Sequence, residues 1–129
     1  MRRTVSLFVA VFMILTLVGC SKYHSKYKAV GFVHSNDLSS AYMNFYTFEG
    51  RMVFKLKSSG EGDLKYSAKL ESGSATVYYD YLGTKSKLFS VSGGEELASY
   101  GGYVDTGTVY IIVETEGECR NGVFQFNLD

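Results

Sequence analysis

Residues 108–116 read Thr108-Val109-Tyr110-Ile111-Ile112-Val113-Glu114-Thr115-Glu116, and the alternation within them decides the fold class. On an extended chain Val109, Ile111 and Val113 fall on one face and Thr108, Tyr110, Ile112 and Glu114 on the other, the period of a half-buried strand. The pattern continues on both sides. Towards the C-terminus, residues 123–129 send Phe124, Phe126 and Leu128 inward and Gln125 and Asn127 outward. Upstream, Met52, Phe54 and Leu56 oppose Arg51, Val53, Lys55 and Lys57, while Leu64, Tyr66, Ala68 and Leu70 oppose Lys65, Ser67 and Lys69. One wet face per strand belongs to antiparallel sheet.

Turn chemistry recurs at Glu49-Gly50, Ser59-Gly60-Glu61-Gly62-Asp63, Ser72-Gly73, Ser92-Gly93-Gly94 and Asn121-Gly122, about every ten residues. Asn121-Gly122 has the form of a two-residue loop with positive φ and predicts a hairpin. Residues 95–100 are the one candidate helix, a single turn. About eight short strands at this spacing predict an all-β fold, an antiparallel β-sandwich of jelly-roll type. The chain has no proline, so edge protection falls to charge, with Lys55, Lys57, Lys65 and Lys69 as candidates.

The N-terminus is built differently. Arg2 and Arg3 precede a mostly apolar run from Val5 to Val18, followed by Gly19 and Cys20, the layout of an export signal too short to span a bilayer. Leu17-Val18-Gly19-Cys20 resembles the lipobox of bacterial lipoproteins. The resemblance implies that residues 1–19 are a cleaved signal helix and that Cys20 is the lipidation site. It places the protein on the extracytoplasmic face of the cell membrane, held by its lipid anchor. An ordinary secretory signal and twin-arginine export are the alternatives. Two acyl chains hold stably where one does not. Residues 20–28 then form the lipidated cysteine and a tether, and residues 29–129 the domain. Lys22, Lys26 and Lys28 either meet anionic headgroups or stay solvated.

Removing residues 1–19 takes Arg2 and Arg3 from the 13 basic residues and leaves the 13 acidic ones, a net charge near −2. That balance argues against a nucleic-acid partner, which needs concentrated basic charge. With Cys20 acylated, Cys119 has no partner in the chain. It is either a small buried residue or a free thiol that pairs with another molecule. The two histidines are His24, in the tether, and His34, at the end of the first expected strand. A nucleophilic arrangement would have to recruit one of them; Cys119 with His34 is one such pair, and no signature surrounds either. Zinc-ligand spacing and a phosphate-binding loop are both absent from the sequence. Glu114, Glu116 and Glu118 alternate, with Asp63, Asp80 and Asp105 as further oxygen donors. A solvated strand face is expected there rather than calcium. No catalytic residue, metal or cofactor is assigned.

Tyrosine is abundant, at 11 residues, and tryptophan is missing. Alternation sends Tyr79 and Tyr81 to the core with Val77 and leaves Tyr78 outside with Thr76 and Asp80. Tyr78, Tyr103 and Tyr110 are the chief candidates for an aromatic binding platform, with Tyr42, Tyr46 and Tyr100 behind them. The alternative is that tyrosine simply suits a pleated, half-buried surface.

Over residues 48–128 the succession is Phe54-Lys55-Leu56-Lys57, a Gly-rich turn, Leu64-Lys65-Tyr66 and a Ser-Gly step. Gly107-Thr108-Val109-Tyr110-Ile111-Ile112-Val113 and Gly122-Val123-Phe124-Gln125-Phe126 complete it. This order is similar to the bacterial pre-peptidase C-terminal domain and to small β-sandwich lipoproteins of Gram-positive bacteria. The resemblance implies a non-catalytic accessory module and transfers no functional residue. The expected role is a membrane-anchored binding or scaffolding module at the cell envelope, with an envelope protein or glycan as partner. A carbohydrate or envelope-glycan binding module and a small extracytoplasmic enzyme are the alternatives.

Overall fold

The computed structural model describes residues 23–128, so the signal segment and Cys20 lie outside the described residues. Within them the chain forms β1 (Lys26–Val30), β2 (Val33–Asn36), β3 (Ser40–Ser58), β4 (Gly62–Tyr81), β5 (Thr84–Ser92), β6 (Glu95–Val104) and β7 (Gly107–Leu128). All pairings are antiparallel, in the order β1-β3-β7-β4-β5, with β2 also on the β3 edge and β6 also on the β4 edge.

β3, β4 and β7 run to 19, 20 and 22 residues because each serves both layers of the sandwich. Layer A joins β2, residues 40–48 of β3, 119–128 of β7, 62–72 of β4, and β6. Layer B joins residues 51–58 of β3, 107–116 of β7, 74–81 of β4, and β5, with β1 pairing across the bend of β3. The layers pack face to face. Phe54 of layer B lies 6.3 Å from Phe126 of layer A, and Phe89 of β5 stacks on Tyr66 at 4.5 Å. Met52, Phe54, Leu56, Val109, Ile111, Val113, Phe124 and Phe126 are buried as the alternation expects, whereas Ile112 and Asp80, expected on the outer face, are buried as well, at 0% and 2% exposed. Each such apolar side chain contributes about 1.5–3 kcal/mol on burial.

Glycine makes the bends. Gly50, Gly73 and Gly117 hold φ of 132°, 98° and 75°, and the ladders slip register between Phe48 and Arg51 and between Ser72 and Ser74. A Cβ on Gly73 would stand 2.7 Å from Cys119 Sγ and 2.8 Å from its Cα. Backbone groups freed by the bends find partners. Gly50 N–H donates to Thr115 Oγ1 at 2.8 Å, and the β5–β6 turn returns Gly93 N–H to the Gly73 carbonyl at 2.8 Å. Glu49-Gly50 and Ser72-Gly73, expected as turns, are therefore β-bulges inside continuous strands.

The Asn121-Gly122 hairpin is corrected in the same way. Asn121 does adopt φ 47°, but Gly122 pairs with Phe45 on one side and Leu70 on the other, so β7 runs straight through. The Phe45 ring lies so close over Gly122 that a Cβ there would meet Cζ at 2.3 Å. Only glycine leaves room for that contact. Residues 95–100, expected as a helical turn, lie in β6 and pair with β4. The tight turn that sequence reading missed is Leu82-Gly83, with φ of 56° and 84° and Tyr81 facing Thr84 across it.

The expected tether is corrected too. Lys26 to Lys28 belong to β1, paired with Arg51 to Glu49, and Tyr23 is docked against the sandwich. Lys65 and Lys69 guard no edge, since β4 has β7 and β6 on either side of them. The open edge is that of β3 beyond Arg51. There Val53 N–H donates to Ser25 Oγ at 2.9 Å, Lys55 N–H to Asn36 Oδ1 at 3.0 Å, and Lys57 N–H to the Leu38 carbonyl at 2.7 Å.

Candidate binding surface

The sandwich presents two outer faces of opposite character. On layer B, cross-strand register sets Val53, Ile112 and Tyr78 in one row and Lys55, Tyr110, Asp80 and Lys85 in the next. The Tyr23 ring packs edge-on against Tyr110 with centroids 5.4 Å apart, and its hydroxyl donates to Asp80 Oδ2. That hydrogen bond, with burial adding to it, holds the Tyr23 phenol up to about 12. Asp80 Oδ1 also accepts from Gly83 N–H at 3.0 Å, which fixes the β4–β5 turn. Lys85 Nζ sits 4.4 Å above the Tyr78 ring, and Arg51 Nε reaches Glu114 at 3.1 Å.

Of the expected platform, Tyr78 and Tyr110 do share this face. Both are partly covered by the chain itself. Tyr103 lies elsewhere, on β6, where it lines a depression of about 300 Å³ with Tyr79, Tyr81 and Leu82. Partial burial first, and then a hydrogen bond to Glu61, raise its phenol above the ordinary value. The three tyrosines do not form one platform.

Layer A is the polar face. Its outer rows are Asn44-Val123-Lys69-Glu96, then Tyr42-Gln125-Ser67-Ala98, then Ser40-Asn127-Lys65-Tyr100, reading across β3, β7, β4 and β6. Asn44 Nδ2 donates to the Tyr42 hydroxyl at 2.6 Å, orienting both side chains. A depression of about 440 Å³ opens over Ser67, Lys69, Glu96, Ala98 and Val123. Tyr100 is 67% exposed and Tyr46, one row beyond Asn44, is 52% exposed. Sequence reading placed Gln125, Asn127, Ser67 and the lysines outward. It missed that β7 brings them together, because the pairing of β7 between β3 and β4 is non-local.

The expected reactive groups are apart from either face. Cys119 is wholly buried at the Gly73 bend, its thiol directed at the Ser74 carbonyl at 3.3 Å, and burial raises its pKa. His34, on the exposed strand β2, stacks on Phe32 at 4.9 Å. Gly117 separates Glu118 from Glu114 and Glu116. Glu114 pairs with Arg51, whereas Glu118 lies past the bend and pairs with Arg120 at 3.5 Å. No group of three His, Cys, Asp or Glu residues suited to a metal occurs among the described residues.

No protein-family model matches this sequence, and a search of curated proteins finds none similar to it. Solved structures of similar fold are found at low identity. A variant of a family 29 carbohydrate-binding module is 16% identical, with a TM-score of 0.42 over 81% of this chain and 79% of that one. The pre-peptidase C-terminal domain of a collagenase from Bacillus anthracis is 13% identical, with a TM-score of 0.45 over 62% of this chain and 77% of that one. A cycloisomaltooligosaccharide glucanotransferase from Paenibacillus is 12% identical, with a TM-score of 0.44 over 83% of this chain and 18% of that one.

Proposed function

We propose that the protein is a lipid-anchored, non-catalytic module of the cell envelope that binds a glycan through the outer face of layer A. The observation that carries the glycan reading is the row Tyr42-Gln125-Ser67-Ala98 with Asn44, Asn127, Lys65 and Tyr100 beside it. A sugar offers hydroxyls that both donate and accept, and amides match them with both functions on one group. Its apolar C–H faces suit tyrosine rings and the small apolar floor of Val123 and Ala98. A surface five strands wide accommodates an extended chain without a deep cleft. The anchoring half rests on Leu17-Val18-Gly19-Cys20.

The two halves are tested separately. On arrays of envelope polysaccharides the purified protein should be retained, and Gln125→Ala combined with Tyr100→Ala should lower retention about tenfold or more, in line with loss of a hydrogen bond and a stacking surface. Equal retention by the variant removes the proposed site. Growth with a labelled fatty acid should mark the wild type and leave Cys20→Ala unmarked; label on the variant removes the anchor.

A further inference from the structure

The outer face of layer B has a composition that the glycan reading does not use. Of the ten Lys and Arg among the described residues, six stand on it: Lys26, Arg51, Lys55, Lys57, Lys85 and Lys87. The carboxylates sharing it are Glu114, Glu116 and the buried Asp80, with Glu49 opposite Lys28 at its β1 margin. On layer A the rows that hold Lys65 and Lys69 also hold Glu96, with Glu71 just beyond them. The chain is thus electrically lopsided although its overall charge is balanced. Tyr23, Tyr78 and Tyr110 stand among the cations, the aromatic and basic mixture favoured where a protein meets headgroups.

Chain length adds an independent constraint. Tyr23 is fastened to the layer B face by the Tyr110 ring and by Asp80. Cys20 is three residues before it, and three residues reach at most about 11 Å. An acyl group on Cys20 therefore enters the bilayer beside this face.

We infer that the outer face of layer B is a membrane-docking surface, seated on anionic phospholipid headgroups. This rests on the acylation of Cys20 proposed above. With that face down, layer A points away from the membrane and its polar rows are open to a partner. The lipid supplies attachment, and the lysine face fixes orientation. Lys26 and Lys28, expected as tether residues, then act from within a strand, at fixed positions on the docked domain.

The test uses the full-length lipidated protein bound to vesicles of phosphatidylglycerol or of phosphatidylcholine, separated by flotation, with lysine acetylation read by mass spectrometry. Lys55, Lys57, Lys85 and Lys87 should react roughly threefold or more slowly on the anionic vesicles than on the neutral ones, and high salt should remove the difference. Lys65 and Lys69 serve as internal references and should react alike on both. Flotation with equal reactivity of the two lysine sets on both vesicles overturns the docking surface while leaving the anchor intact. Failure to float with either vesicle refutes the anchor, and the docked face with it.

Discussion

Gly73, at a bend between the layers, and Tyr23, on the layer B face, show how single groups fix the larger arrangement. Gly73 is required because the space its Cβ would occupy belongs to Cys119, and because φ of 98° strains any other residue. Gly73→Ala should therefore cost about 2–4 kcal/mol, read as a lower urea midpoint with an unchanged slope. Tyr23 acts through its proton. Its phenol, ordinarily near 10, is held up to about 12 in the folded protein, so the folded state keeps a proton that the unfolded chain releases first. The stabilisation is complete below about pH 10 and disappears as pH rises through the folded value. Stability should fall between those limits, and Tyr23→Phe should flatten the fall in a denaturation series run against pH. An identical slope in the variant would mean that the Asp80 contact does not hold the N-terminal segment.

At the scale of elements, the period-two pattern marked which residues face the core but not where strands end. The inward sets around Phe54, Leu64, Ile111 and Phe126 were legible because alternation is local. The continuity of β3, β4 and β7 was not. Glycine beside a small or acidic residue has the same appearance at a turn and at a bulge, and only cross-strand neighbours such as Phe45 over Gly122 separate the two. The edge of β3 carries its own prediction. Asn36 gives Lys55 both a donor and an acceptor in place of a missing strand, with Nδ2 to the Lys55 carbonyl at 3.0 Å. Asn36→Ala should lower stability by about 1–2 kcal/mol and leave an open ladder that promotes association. Light scattering during thermal unfolding should register it. Unchanged scattering would show that Ser25 and Leu38 protect the edge without Asn36.

Across the whole molecule, folding one sheet over its own bends gives two outer faces that differ in charge and in cover. The candidate site follows from that topology. β7 is last in the chain yet lies between β3 and β4, so Gln125 and Asn127 join Tyr42 and Asn44 on one side and Lys65 and Ser67 on the other. In the sequence the first pair is some 80 residues from the second, which is why tyrosine counting favoured Tyr78, Tyr103 and Tyr110 instead. The proposed glycan binding by layer A follows from this arrangement. It is tested most directly by titrating a soluble oligosaccharide of the cell envelope into isotopically labelled protein and mapping amide shifts. Shifts should concentrate on residues 40–46, 65–69, 96–100 and 123–127, with the layer B strands unmoved. Shifts confined to Tyr78, Tyr110 and their neighbours, or none at saturating sugar, would contradict it.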